Sequence, residues 1–168
     1  MLKVVITGPE STGKSAISKA LSSHYNEPWS KEIARDYLHE LNRPYSEDDL
    51  HAMAQQQVKE IQKNADSSSS LNVCDTDLLT FIIWWEVKYG RCPQKWVDEW
   101  KENLPDLYLL MDIDLPWEQD PLREHPDRRG ELKQRYIDKL ESVSAPYAII
   151  AGQGPERLAS AIRAIEEL

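Results

Sequence analysis

Residues 8–15 have the types and spacing that suit phosphate binding. They read Gly-Pro-Glu-Ser-Thr-Gly-Lys-Ser and fit the pattern G-x-x-x-x-G-K-[ST]. The glycines let the backbone turn so that several N–H groups face one anion, and a following helix adds the positive end of its dipole. Lys14 supplies a charge that reaches the β- and γ-phosphates of ATP, and Ser15 offers a hydroxyl to Mg²⁺. The residues predicted to bind the nucleotide are Gly8, Glu10, Ser11, Thr12, Gly13, Lys14, Ser15 and Ala16, with Lys14 also catalytic.

A carboxylate at the end of an apolar run is a second candidate for this site. Asp75 directly follows residues 71–74, which read as a short buried strand. Such a carboxylate commonly holds the metal ion, or water bound to it, beside a phosphate loop. Ser15 and Asp75 are therefore the predicted metal contacts. The alternative is that Asp75 or Asp77 only caps the helix that follows.

Glu32 and Asp36 are candidates for the group that activates an acceptor. They lie four residues apart with Arg35 between them, and on a helix this spacing places both carboxylates on one flank. Transfer of a phosphoryl group to a hydroxyl needs a nearby carboxylate to orient the hydroxyl and take its proton. Asp36 is the first candidate for that base. The alternative is an ordinary surface pair near the start of a helix.

Three arginines lie in or beside a segment punctuated by prolines, at about residues 116–130. Cationic side chains that close over the γ-phosphate stabilise its charge and exclude water. The segment is therefore predicted to be a lid, with Arg123 and Arg128 catalytic and Arg129 in contact with the nucleotide. The alternative is a salt-bridged helix surface, because acidic residues alternate with these arginines.

Aromatic residues and a late glycine pair add weaker signals. The six tryptophans include four, at positions 84, 85, 96 and 100, that are expected to fill the core or a subunit contact. Trp29 and Trp117 are placed beside the site, where a flat substrate ring could stack on either. Gly152 and Gly154 follow the last predicted strand and could let the backbone approach adenine. A plain turn between strand and helix is an equal interpretation of these glycines.

The elements that must position these residues alternate along the chain. Short apolar runs predict strands at 2–7, 27–30, 71–74, 106–111 and 147–151. Helical spacing of apolar residues predicts helices at 14–24, 33–41, 46–65, 76–88, 94–103, 128–143 and 155–168. This order predicts an α/β protein of one domain, with helices on both faces of a five-stranded parallel sheet in the three-layer arrangement of P-loop NTPases. Ligands of such sheets bind beyond the carboxyl ends of the strands.

Composition excludes several classes of function. The formal net charge is −9 over 168 residues, which disfavours nucleic acid and anionic lipid as partners. The longest apolar stretch is far shorter than the roughly 20 residues that cross a bilayer. Two cysteines do not make a disulfide framework, and the N-terminus reads as a strand rather than a leader, so a reducing cytoplasm is expected.

Several of these segments together resemble the kinase domain of NadR-type proteins, the ribosylnicotinamide kinase branch of P-loop small-molecule kinases. The matching residues are the loop 8–15, Glu32, Ala34 to Tyr37, Asp75 to Asp77 with Thr80 and Trp84, Asp106 to Tyr108, Pro116, Trp117, Asp120, Arg123, Gly152 and the pair Glu156 and Arg157. The resemblance implies ATP-dependent 5′-phosphorylation of nicotinamide riboside, which gives nicotinamide mononucleotide in NAD salvage. It also implies that the substrate contacts are Glu32, Arg35, Asp36, Asp75, Thr76, Asp77, Trp117 and Asp120.

The sequence departs from the family pattern in two respects. Asp120 is followed by Pro121 where family members often have glycine. This difference implies that the lid geometry and the substrate can differ from those of the family. The sequence also shows neither an H-x-G-H-type motif nor a helix-turn-helix, so adenylyl transfer and repression are not expected.

The sequence leaves three functions open. The first is a metabolite kinase with nicotinamide riboside as the leading acceptor. The second is a kinase for another nucleoside, a nucleotide or a vitamin alcohol, and the third is a P-loop ATPase that acts as a nucleotide-dependent switch. In the first two the partner is a small molecule, and a homodimer is compatible with the sequence.

Overall fold

The computed structural model describes residues 1–116 and 127–168. In these ranges the strands are β1 (Leu2–Thr7), β2 (Trp29–Ser30), β3 (Leu71–Asp75), β4 (Leu107–Met111) and β5 (Tyr147–Ile150). The helices are α1 (Lys14–Tyr25), α2 (Ile33–Glu40), α3 (Glu47–Ser67), α4 (Leu78–Tyr89), α5 (Gln94–Glu102), α6 (Arg129–Ser142) and α7 (Pro155–Glu166).

The strands form one parallel sheet in the order β2-β3-β1-β4-β5. β1 is central because its run of Val4, Val5 and Ile6 is wholly buried between neighbours on both sides. The predicted fold class is confirmed: the protein is a three-layer α/β/α structure with a five-stranded parallel sheet. The carboxyl ends of β1, β3 and β4 meet at one edge, where parallel sheets place their ligands.

Each face of the sheet has its own hydrophobic core, since successive strand side chains point to opposite faces. Val5 packs into the core beneath α3, α4, α5 and α6, whereas Val4 and Ile6 pack into the core beneath α1 and α7. Trp85, Trp96 and Trp100 are buried in the first core, as the sequence predicts. Trp84 differs from them, because it is only partly buried.

Local signals set the limits of the helices. A capping box at the start of α3 pairs Ser46 with Asp49, as the spacing of these residues predicts. The helix predicted from residue 76 begins instead at Leu78, because the Asp77 side chain accepts a hydrogen bond from the Leu79 N–H and acts as the N-cap. No helix in the described ranges has the length and apolar character needed to span a bilayer.

Candidate active site

The phosphate loop connects the end of β1 to the start of α1, as the sequence predicts. Gly8 has φ 135° and lies against β4: a Cβ there would come within 3.1 Å of the Met111 carbonyl oxygen. Gly13 has φ 80°, a value in the left-handed region that favours glycine. The backbone path of the loop therefore requires glycine at both positions.

Side chains of the loop hold its own carbonyl groups. The Thr12 hydroxyl donates to the Pro9 carbonyl at 2.7 Å, and Lys14 Nζ donates to the same carbonyl at 3.0 Å. Lys14 is thus tethered over the loop, in reach of a phosphate that would replace the carbonyl as its partner.

A cavity of about 400 Å³ opens in front of this loop. Its lining consists of Glu10, Ser11, Thr12, Gly13, Lys14, Ser15, Ala16, Glu32, Ala34, Arg35, Leu38, Trp84, Leu115 and Pro116. The structure thus brings together every residue predicted for the loop except Gly8, which lines the neighbouring cavity. The N-terminus of α1 points its partial positive charge into this space.

Ser15 lines the first cavity and is hydrogen-bonded to Asp75, which lines neither cavity. The Ser15 hydroxyl donates to Asp75 Oδ2 at 2.5 Å, and Asp75 is only 1% exposed. Burial raises the pKa of Asp75 to about 6; the negative charge of Glu32 adds to the rise, while the Ser15 hydrogen bond and Lys14 oppose it. The second oxygen, Oδ1, is buried without a hydrogen-bond partner among the described residues.

This donor set fits a magnesium ion. Mg²⁺ takes oxygen ligands, keeps several waters, and binds nucleotide sites through a hydroxyl or carboxylate together with phosphate oxygens. A buried carboxylate with one unsatisfied oxygen beside a serine hydroxyl matches that requirement. The described residues contain no cluster of three or more His, Cys, Asp or Glu that could hold a metal ion.

A second cavity of about 230 Å³ adjoins the first and has a more aromatic wall. Tyr45 and Trp84 stack with ring centroids 6.0 Å apart, and Thr80 and Tyr136 share a hydrogen bond of 3.0 Å between their hydroxyls. The residues lining both cavities are Glu10, Lys14, Glu32, Leu38 and Trp84. The lysine of the phosphate loop and two carboxylates, those of Glu10 and Glu32, therefore lie at the junction of the two cavities.

The two carboxylates predicted to share a helix flank do not share it. Glu32 is the N-cap of α2, with extended backbone angles, so the helical spacing does not apply to it. Gln57 fixes this segment, because its side chain accepts from the Ile33 N–H at 2.9 Å and donates to the Lys31 carbonyl at 3.0 Å. As a result Glu32 faces both cavities, whereas Asp36 is exposed on α2 and contributes to the lining of neither.

Asp77 and Thr76 occupy buried positions beside the end of β3, and the substrate contact that the resemblance implies for them stays a prediction. Both Asp77 oxygens are engaged, one by the Leu79 N–H at 3.0 Å and the other by the Tyr108 hydroxyl at 2.5 Å. Thr76 has φ 75° and is fully buried. Neither residue lines the two cavities beside the loop.

The arginines of the predicted lid fall into three groups. Arg129 donates to the Ser11 carbonyl at 3.3 Å and to the Leu115 carbonyl at 2.9 Å, which places it against the phosphate loop. Arg128 lines the second cavity and also forms a salt bridge with Glu131 at 2.7 Å. The salt bridge is the contact expected if this segment is an ordinary helix surface rather than a lid. Arg123, Trp117 and Asp120 lie outside the described residues, as does most of the predicted lid.

The loop after β5 contains two glycines with positive φ. Gly152 has φ 95° and its N–H donates to Asp114 Oδ2 at 2.6 Å; Gly154 has φ 56° and precedes α7. Neither glycine lines the two cavities, so their contact with adenine stays a prediction.

The comparisons with known proteins agree with this geometry. Residues 3–157 match the model of a family described as an AAA domain. The chain belongs to this AAA domain family. No curated protein matches the sequence.

Solved structures share the fold of this AAA domain. NadR protein in complex with NR superposes with a TM-score of 0.78 at 21% identity, and the match covers 99% of this chain and 49% of that one. The chain thus spans about half the length of that protein. Deoxyadenosine kinase from M. mycoides with bound dATP superposes with a TM-score of 0.69 at 16% identity, and the match covers 99% of this chain and 100% of that one. Thymidylate kinase from Ehrlichia chaffeensis superposes with a TM-score of 0.65 at 13% identity, and the match covers 99% of this chain and 97% of that one.

Several residues of the site carry only weak sequence signals. Tyr45 lies in a loop, and Tyr136 lies on a helix whose pattern indicates only a buried face. Trp84 belongs to a helix that is apolar on nearly every side, so periodicity does not show that it faces a cavity. For Trp84 and Thr80, the family resemblance is the signal in the sequence that associates them with the site.

Proposed function

We propose that this AAA domain is an ATP-dependent small-molecule kinase whose acceptor is nicotinamide riboside. The observation that supports it is the junction of two cavities, one at the phosphate loop and one with an aromatic wall. Lys14 and Glu32 line both spaces. A phosphoryl group bound in the first cavity could therefore pass to a hydroxyl held in the second.

The residues divide the work in the following way. The loop amides and Lys14 hold and polarise the γ-phosphate, and the charge they supply counts most where charge develops during transfer. Ser15 and Asp75 would hold Mg²⁺, which supplies further neutralisation of the phosphate oxygens when bound. The acceptor oxygen forms a bond to the γ-phosphorus while the bond to the ADP oxygen breaks, and Glu32 takes the hydroxyl proton.

Two features of the second cavity support a nucleoside with a cationic ring. Trp84 supplies an aromatic ring to the wall of this cavity, and aromatic faces attract planar and positively charged rings. Tyr45 stacks with it and already holds Lys88 Nζ 3.6 Å from its own ring centroid. The carboxylates of Glu10 and Glu32 also line this cavity. Nicotinamide riboside, whose ring nitrogen is quaternary, meets both conditions.

A second candidate acceptor is a nucleoside monophosphate. Lys88 and Arg128 also line the second cavity, and a pair of cations is what an acceptor phosphate requires. Lys88 already donates to the Tyr45 carbonyl at 2.8 Å and Arg128 pairs with Glu131, so both cations have partners within the protein. This observation ranks the nucleotide acceptor second.

A product assay tests the proposal. The purified protein is incubated with ATP and Mg²⁺ and a panel containing nicotinamide riboside, deoxyadenosine, thymidine and thymidine monophosphate, and products are identified by mass spectrometry. We expect nicotinamide mononucleotide as the main product and none from Lys14→Ala. Phosphorylation of thymidine monophosphate alone would favour the second candidate, and ATP hydrolysis that ignores every acceptor would contradict both.

A further inference from the structure

Arg157 joins three loops at the carboxyl edge of the sheet. It lies in the first turn of α7 and is 3% exposed. Its Nη1 donates to Asp114 Oδ1 at 2.6 Å and to the Gly152 carbonyl at 2.9 Å. Its Nη2 donates to the Thr12 carbonyl at 2.6 Å and to the Asp112 carbonyl at 3.1 Å.

The bond to the Thr12 carbonyl bears on the phosphate loop. In a planar trans peptide the C=O of one residue and the N–H of the next point in opposite directions. Holding the Thr12 carbonyl toward Arg157 therefore turns the Gly13 N–H away from Arg157. Gly13 lines the phosphate cavity and Arg157 does not, so the Gly13 N–H is turned toward the cavity.

Asp114 holds the arginine in this position. Its Oδ1 accepts from Arg157 and its Oδ2 accepts from the Gly152 N–H at 2.6 Å. Asp114 thus holds the N–H of Gly152, and Arg157 holds its carbonyl. These two contacts restrict a glycine with φ 95°, a residue type that otherwise has high conformational freedom. Since the charge of Arg157 is compensated by Asp114, the arginine acts on the loop through geometry more than through net charge.

We infer that Arg157 is a positioning residue that sets the direction of the Gly13 amide in the phosphate cradle, with Asp114 as its anchor. The inference rests on the proposed binding of a nucleotide phosphate chain at residues 8–15. It does not depend on which acceptor the enzyme uses.

The test measures binding of inorganic tripolyphosphate and of Mg²⁺-ATP by calorimetry to the full chain and its variants. Arg157→Met should weaken both by about tenfold, the scale of one lost charge-assisted hydrogen-bond contact. Arg157→Lys should recover part of the loss. Arg163→Met removes an exposed arginine from the same helix and should bind both ligands like the wild type.

A merely structural role would give a different pattern. In that case Arg157→Met would lower the melting temperature while its folded fraction kept the wild-type affinity for tripolyphosphate, and this result overturns the inference. If Arg157→Met does not fold, Asp114→Asn is the deciding variant, and unchanged affinity for both ligands overturns the inference there too. Normal tripolyphosphate binding with no transfer to any acceptor would contradict the proposed function and leave this inference standing.

Discussion

The Ser15 hydroxyl donates to Asp75 Oδ2 at 2.5 Å, and this contact joins the first turn of α1 to the end of β3. Asp75 is almost fully buried, and burial raises the pKa of its carboxyl to about 6. A buried carboxylate with a single hydroxyl partner is costly to the fold. Its presence here is explained if a cation binds between the two side chains.

Asp75→Asn should raise the stability of the protein and lower its activity. An amide can accept the Ser15 hydrogen bond but carries no charge, so the variant escapes the desolvation cost of the carboxylate. At neutral pH we expect a rise in the free energy of unfolding on the order of 2 kcal/mol, measured by urea denaturation. Turnover with Mg²⁺-ATP should fall by at least about a hundredfold. A variant that is less stable yet active would contradict this account.

The pH dependence of stability follows from the same group. The folded pKa of Asp75, about 6, lies above the ordinary value near 4 for the unfolded chain. The native state therefore binds more protons between these values, and the penalty from Asp75 is present above about pH 6 and vanishes as the pH falls toward 4. The gap in melting temperature between Asp75→Asn and the wild type should shrink over that range. A constant gap would show that the carboxyl is not shifted.

As the pH falls, activity should decrease while the stability penalty from Asp75 disappears. The carboxylate form of Asp75 is needed for the metal, so kcat/KM for Mg²⁺-ATP should fall by about tenfold per pH unit below about pH 6. The profile should be measured alongside circular dichroism, so that loss of folded protein is not taken for loss of activity. A flat profile down to about pH 5 would exclude Asp75 from the metal site.

Glu32→Gln and Asp36→Asn form a matched pair for the general base. Glu32 faces both cavities and Asp36 is exposed on α2. We expect Glu32→Gln to lower kcat by about a hundredfold or more with little change in the KM for ATP, because it removes a proton acceptor. Asp36→Asn should stay within about twofold of the wild type. The reverse result would restore Asp36 as the base.

Local signals in the sequence are enough to predict the fold and the phosphate loop. The apolar run of β1, the glycines that follow and the capping box of α3 each act within a few residues, and each appears in the structure as predicted. The position of Asp75 at the end of a buried strand follows from local signals as well.

Other parts of the site depend on contacts between distant segments. Glu32 faces the cavities because Gln57 on α3 holds the residues on either side of it. Asp75 and Asp77 lie two residues apart but in different surroundings, because the chain turns at Thr76 with a positive φ. No pattern of residue types marks a threonine for that conformation, so the sequence alone does not show that the two aspartates have different partners.

Trp84 should govern affinity for the acceptor. It lines both cavities and stacks on Tyr45, so Trp84→Ala should raise the KM of the acceptor by about tenfold while the KM for ATP changes less. Trp84→Phe should keep most of the affinity because an aromatic face remains. Trp29→Phe, a change at a partly buried tryptophan that lines neither cavity, serves as the control. An equal rise in both KM values would indicate a general distortion of the site.

Asp77 should affect stability and leave ligand binding intact. Its carboxylate is buried, caps α4 through the Leu79 N–H, and accepts from the Tyr108 hydroxyl, which itself accepts from Trp100 Nε1 at 2.7 Å. Asp77→Ala leaves a buried hydroxyl without its acceptor and a helix without its cap, a loss of about 2–4 kcal/mol.

A double-mutant cycle with Tyr108→Phe measures the contact directly. Because Tyr108→Phe removes the hydroxyl that would be left unpaired, the double variant should lose less stability than the sum of the two single changes. Affinity for ATP and for the acceptor, measured by calorimetry on folded protein, should stay within about twofold of the wild type in all three variants. Asp77→Ala that keeps its stability but loses acceptor binding would return Asp77 to the substrate site.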